Sequence, residues 1–257
     1  MKRTLKLLFL FLSCLFLHAC SSRYQAPVLE HKISTPPSHH LVRKGETLYS
    51  IAFIYGLDYR ALARRNKFGR PYEIFPGQKL ALRKGAKVYP WVNKKSRKTV
   101  KKRYSKPKSQ IAKSKKTSKK PIRKKPAHAQ KSQKIKRWQW PSRGRVIKSY
   151  SKKVNGKKGI VIAGRSGQAV VAAAGGKVVY SGEGLPRYGR LIIIKHNETY
   201  LSAYAHNRRL LVKEGSVVKQ GQRIAEMGRS GTDETVLHFE IRKNGKPINP
   251  LFYLPKR

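Results

Sequence analysis

The sequence predicts a multi-domain chain: a small α+β module of strand–helix–helix–strand order, a basic disordered linker, and an all-β domain. Three observations predict it. Two helix-patterned stretches sit between short strand-like runs within fewer than fifty residues. From Asn93 to Arg137 there are twenty-one Lys/Arg and no Asp or Glu, interrupted by Pro107, Pro121 and Pro126; such a segment cannot bury enough apolar surface to offset its ordering entropy. Beyond it, apolar and β-branched runs are separated by glycine-bearing turns, with no amphipathic helix of three turns.

The N-terminal residues set the compartment. Lys2, Arg3 and Lys6 precede an apolar run from Leu7 to Leu17, which is well short of the roughly 20 residues that span a bilayer core. A charged start, a short apolar stretch and a small-residue cleavage site mark a secretory signal, here residues 1–19. Residues 20–39, with Pro27, Pro36 and Pro37, read as a tether. Cys14 leaves with the signal, so Cys20 is the only cysteine of the mature chain, and neither a disulfide nor a thiolate metal site is available to it. The net charge of +49 ordinarily points to nucleic acid. Export replaces that partner with the polyanions of the envelope: peptidoglycan carboxylates, anionic lipid headgroups and lipopolysaccharide. No nucleic-acid partner is expected.

The first island covers residues 40–84. Leu41 and Val42 form a short strand closed by Lys44-Gly45. Thr47 caps a helix in which Leu48, Ile51, Ala52 and Tyr55 recur at helical spacing. Gly56 ends it, and Asp58 caps a second helix through Ala61, Leu62 and Asn66. Residues 74–82 give a turn and a closing strand. Residues 85–137 are assigned to the linker, either a passive spacer or a strap adhering electrostatically to wall or membrane.

The second island covers residues 138–257. Strand-like runs fall at 145–150, 159–163, 169–181, 191–195, 200–206 and 237–242. Gly175-Gly176, Gly182-Glu183-Gly184 and Asn244-Gly245 punctuate them as turns.

Four resemblances attach to these residues. Leu17-His18-Ala19-Cys20 resembles the lipobox of bacterial lipoproteins, with His18 replacing the usual small residue. That implies acylation of Cys20, and Ser21 after it implies an outer-membrane anchor facing the periplasm. Val42-Arg43-Lys44-Gly45-Glu46-Thr47-Leu48, Ser50-Ile51-Ala52 and Pro76-Gly77-Gln78-Lys79-Leu80 resemble a LysM domain. The resemblance implies binding of N-acetylglucosamine-containing peptidoglycan strands in a shallow groove, with Gly45, Glu46, Thr47, Leu48, Phe75 and Pro76 as contacts. Trp140-Pro141, Gly159-Ile160, Tyr204-Ala205-His206 and Leu237-His238-Phe239-Glu240 with Asn249-Pro250 resemble the M23 zinc peptidase domain.

In that family zinc is held by a histidine, an aspartate four residues later, and the second histidine of a His-x-His pair. Carried onto this chain these positions hold Lys157, Val161 and His238, while Val236 replaces the other paired histidine and His206 matches a further catalytic histidine. A catalytic zinc generally needs three protein ligands; a cation and an aliphatic side chain supply none. The expectation is therefore no catalytic residue, no metal and no cofactor. The five positions would form a degenerate groove, either held by structural hydrogen bonds or turned to binding a protein.

Anchor, LysM, basic linker and degenerate M23 domain together resemble the NlpD family of murein hydrolase activators. The implied function is stimulation of a periplasmic zinc-dependent N-acetylmuramoyl-L-alanine amidase in septal wall splitting. The alternatives are a structural tie between outer membrane and peptidoglycan, or an active M23 endopeptidase with another metal set.

Overall fold

The computed structural model describes residues 36–91, 135, 137–153 and 158–257. The signal segment, Cys20 and most of the basic linker lie outside the described residues. Among the described residues no helix is long and apolar enough to cross a membrane.

The first domain follows its capping signals. Strand β1 (His39–Leu41) pairs antiparallel with β2 (Lys79–Ala81), His40 opposite Leu80. Between them lie helices α1 (Leu48–Ile54) and α2 (Tyr59–Arg65). Thr47 and Ser50 form a reciprocal capping box at the start of α1, which satisfies backbone donors that the first turn leaves unpaired. Asp58 caps α2 by accepting from Arg60 N. Leu48, Ile51, Ala52, Leu62, Leu80 and Leu82 make a small core.

Two boundaries differ from the sequence reading. The first strand starts at His39, inside the expected tether, because His39 Nε2 meets the Lys87 carbonyl at 2.8 Å and its ring packs on Tyr89. Residues 87–91, assigned to the linker, fold back on the domain. Lys79 Nζ lies over the Tyr89 ring, and Trp91 stacks on Phe75 at 6.3 Å with an interplanar angle of 7°. Aromatic side chains, rather than the surrounding charge, decide where this end of the domain lies.

The second domain is one large antiparallel sheet. Its strands are β3 (Val146–Lys148), β4 (Ile160–Ala163), β5 (Ala169–Val171), β6 (Gly176–Gly182), β7 (Arg190–Lys195), β8 (Tyr200–Leu210), β9 (Val217–Val218), β10 (Arg223–Met227), β11 (Val236–Lys243) and β12 (Lys246–Ile248). The main path runs β3-β4-β11-β8-β7-β6-β9, with β10 joining β5 to β8 and β12 joining β11. The single run expected over 169–181 is two strands, because Ala172–Gly175 turns the chain from β5 into β6. Ile135, expected in the linker, packs against this domain's core.

The sheet has two buried faces. Ile192, Ile194, Tyr204, Leu237, Phe239 and Ile241 fill the core on one side. On the other, Leu191, Ile193, Leu201, Ala203 and Ala205 cluster with Phe53 of α1. The helix thus presents Ile51 and Ala52 to its own domain and Phe53 to the neighbouring one. Thr47 Oγ1 donates to the Val179 carbonyl at 3.1 Å, and Tyr59 OH donates to Glu198 at 2.7 Å across the same boundary. At the β11–β12 turn, Asn244 and Gly245 both take positive φ, the geometry that favours Asn-Gly in a two-residue hairpin. A Cβ on Gly245 would collide with the Leu57 carbonyl, so the first domain rests directly on that turn.

Phe53 is 1% exposed. Phe53→Ala should therefore cost about 3–5 kcal/mol, the usual range for emptying a buried aromatic site, measured by urea unfolding of the full chain. A loss below about 1 kcal/mol would mean that the ring does not hold the two domains together.

Candidate functional site

Strand β11 alternates in sequence, and its alternation builds the site. Leu237, Phe239 and Ile241 enter the core, so Val236, His238, Glu240 and Arg242 share the opposite face. Antiparallel register places His238 opposite Val161 on β4 and Ala205 on β8, and Val236 opposite Ala163. His206 follows Ala205, and its ring lies 6.1 Å from that of His238. Four of the five groove residues deduced from sequence (Val161, His206, Val236 and His238) thus gather on one patch. Lys157 lies outside the described residues.

The polar residues of this patch are tied down. Glu240 Oε1 accepts from His238 Nε2 at 2.9 Å and from Tyr188 OH at 3.0 Å. Its Oε2 accepts from Arg242 Nε at 2.8 Å. Arg242 lies 3.4 Å from the Phe53 ring centroid and also donates to the Phe53 carbonyl. Glu240 and Arg242 are 0% and 4% exposed, although neither burial nor pairing was expected from the sequence. Burial raises the Glu240 pKa, but Arg242 and His238 outweigh it and bring the group down to about 2. Burial also pushes the Tyr188 hydroxyl well above its ordinary range, with Glu240 beside it adding to the shift. His206 takes a positive φ of 67°, and its Nδ1 is 2.8 Å from the Ser230 carbonyl.

These residues do not fit the zinc of the resembled peptidases. Val161 and Val236 have no lone pair to offer, and His238 Nε2 is already given to Glu240. Among the described residues no three His, Cys, Asp or Glu side chains converge as a metal site. His196, just past the end of β7, donates from Nδ1 to the Gly175 carbonyl at 2.9 Å. The neutral ring then accepts at Nε2 from Ser202 Oγ at 2.7 Å. Burial lowers its pKa to about 4, so it sits as a neutral structural bridge.

The expected glycan contacts divide in two. Gly45, with φ 82°, shapes the first loop. Glu46 accepts from Arg43 N at 2.8 Å and pairs with His40 at 2.7 Å. Burial raises its pKa, but the His40 and Arg43 hydrogen bonds overcome that and lower it. Leu48 is a core residue, because the first turn of α1 points it at Ile51 and Leu80. Phe75 and Pro76 remain at the surface. Trp91, which sequence reading assigned to the linker, forms the other half of the exposed pair with Phe75. The Tyr89-Pro90-Trp91 run at the edge of a cationic stretch was the signal for it.

A family model described as "LysM domain" matches residues 40–83, and one described as "Peptidase family M23" matches residues 155–250. The chain is 44% identical to "Lipoprotein NlpD/LppB homolog" of Pseudomonas aeruginosa, over 95% of this chain and 90% of that protein. It is 40% identical to "Murein hydrolase activator NlpD" of Escherichia coli, over 86% of this chain and 68% of that protein. It is also 41% identical to "Uncharacterized lipoprotein YgeR" of the same organism, over 85% of this chain and 81% of that protein.

The depressed Glu240 pKa makes its stabilisation complete above about 4.5 and progressively lost as pH falls toward about 2. Glu240→Gln should make the acid decline of the melting temperature shallower over that window. It should also cost about 3–5 kcal/mol at neutral pH by leaving Arg242 buried without a counter-charge. An unchanged melting profile in the variant would remove Glu240 from this role.

Proposed function

We propose, from the premise that this chain belongs to the NlpD/LppB family of lipoproteins, that it is a peptidoglycan-binding activator of a cell-wall hydrolase and not itself a hydrolase. In this reading Cys20 carries the lipid that anchors it to the outer membrane, facing the periplasm. The first domain holds glycan strands. The second stimulates a zinc-dependent N-acetylmuramoyl-L-alanine amidase, which splits septal wall during division.

The observation that supports it best is the donor set on the β11 face. A peptidase-like sheet keeps His206 and His238 side by side, yet Val161 stands where the resemblance puts a metal ligand and Val236 where it puts a second catalytic histidine. Hydrolysis by that fold depends on a metal that lowers the pKa of its bound water, and a patch with Val161, Val236 and an already paired His238 offers no place for it. An apolar patch rimmed by His206 and His238 instead suits a protein segment. Both valines are buried, so a partner reaches them only by displacing what covers them.

Activation is then a population shift. A segment of the amidase held on this face stabilises the open form of its active site, and the shift is limited by the difference in affinity for open and closed forms. About 5.5 kcal/mol of difference converts 1:99 into 99:1. Glycan binding by the first domain adds effective concentration at the wall.

The test is dye release from labelled sacculi by the mature chain and its cell's amidases, alone and mixed. Release is expected only in a mixture. His206→Glu should abolish the stimulation while circular dichroism and sacculus binding are retained. Undiminished stimulation by the folded variant would exclude the β11 face. Release by this chain alone would restore the peptidase reading.

A further inference from the structure

The loops carrying the expected glycan contacts border the second domain. They form one wall of a cleft of about 980 Å³, and the opposite wall belongs to the second domain. The near wall includes Thr47, Leu48, Tyr72 and Phe75; the far wall includes Lys177, Glu214, Val217 and Lys219. The volume is at the upper end of the usual small-ligand range of roughly 300–1,000 Å³.

The two walls differ in chemistry. On the near wall Phe75 is 41% exposed; Trp91, which stacks on it without lining the cleft, is 40% exposed. Two parallel rings open to water make an apolar platform with a polarised face, suited to the C–H side of a pyranose. On the far side β9 is the last strand of the sheet, and Val217 on it is 66% exposed. Lys177 and Lys219 flank it and make no ion pair among the described residues. Two carboxylates of the cleft are already committed. Glu198 is held by Lys195 at 2.7 Å and Arg70 at 3.0 Å, and Glu46 by His40. Glu73 and Glu214 also reach the lining, Glu214 within electrostatic reach of Lys177, so the cleft is a mixed surface with two exposed lysines on the second domain's side.

We propose that this cleft is a composite peptidoglycan site, in which the Phe75–Trp91 platform takes a sugar and Lys177 and Lys219 take carboxylates of the stem peptide on the same strand. The proposal deepens the glycan-binding reading and rests on it. A peptide-free sugar chain engages only the near wall. A glycan bearing its peptides reaches both, and the free carboxylates of the peptide replace water on two exposed ammonium groups. Glu73 and Glu214 are placed to meet the amino groups that the same peptides carry. The degenerate peptidase domain thus contributes to ligand choice at an edge separate from its β11 face.

The experiment is calorimetric titration of the mature full chain with two probes. One is an N-acetylglucosamine tetramer; the other is a disaccharide–tetrapeptide fragment released from peptidoglycan. The unaltered chain should bind the peptide-bearing fragment about tenfold more tightly per sugar, a preference that falls with added salt. In Lys177→Glu/Lys219→Glu the ratio should drop to about one or reverse. Both side chains are exposed, so an unchanged melting temperature certifies the variant's fold. A ratio that survives the double substitution overturns the composite site while leaving glycan binding by the first domain in place. Failure of the unaltered chain to bind either probe overturns the glycan-binding reading and the composite site with it.

Discussion

The arrangement of the two domains depends on a buried charge brought to neutrality beneath an aromatic ring. Arg242 lies against the Phe53 ring, and Glu240 takes its charge at 2.8 Å. Taking two ions out of water costs several kcal/mol each, and the attraction repays it only when geometry and additional hydrogen bonds are good. Here Glu240 has three partners: His238, Tyr188 and Arg242. Arg242 adds the Phe53 carbonyl to its own. Remove the first domain and the guanidinium loses both ring and carbonyl. The pair therefore specifies where α1 lies more than it adds stability.

That constraint orders the surrounding surface. Phe53 contacts Tyr188, and Tyr188 contacts His238, so the first domain is one aromatic removed from His238. Further along the same boundary, Tyr59 and Arg70 meet Glu198 beside Lys195. Burial and these partners pull the Glu198 pKa in opposite directions, and the partners hold it at about 2. Together the contacts fix the spacing between the near-wall loops and β9. A cleft of that width is a product of the joint, because neither domain has both walls.

Local signals in the sequence made much of this legible. Thr47 with Ser50, Asp58 and the Asn244-Gly245 pair each satisfy or shape backbone within a few residues, and each structure formed where its residues stood. The β11 patch was legible through the M23 resemblance, which pointed to Val161, His206, Val236 and His238; the period of two then puts Val236 and His238 on one side of the strand. Strands β9, β10 and β12 were not, since two to five residues carry too little periodicity and pair through neighbours distant in sequence. The burial of Glu240 and Arg242 had no local signal. Charged residues alternating with apolar ones are compatible with a solvent face, and Phe53 from far along the chain covers Arg242. Trp91 was hidden by composition: lysines dominated its window, although contact with Phe75 decides its place.

A ligand that spans the cleft necessarily acts on the joint. Anything touching both walls binds the docked arrangement better than a separated one, and stabilises it by RT ln(1 + [L]/Kd). At a ligand concentration one hundred times Kd this is about 2.7 kcal/mol, comparable to one buried aromatic contact. Linkage is reciprocal, so whatever loosens Phe53 from Tyr188 and Arg242 must weaken that ligand by the same factor. The β11 patch adjoins the same aromatic pair. A protein segment that needs Tyr188 to shift therefore competes with a spanning ligand, while one that leaves Tyr188 in place is indifferent to it. Tyr188 is thus the side chain that links the joint to the β11 face, through its contacts with the Phe53 and His238 rings.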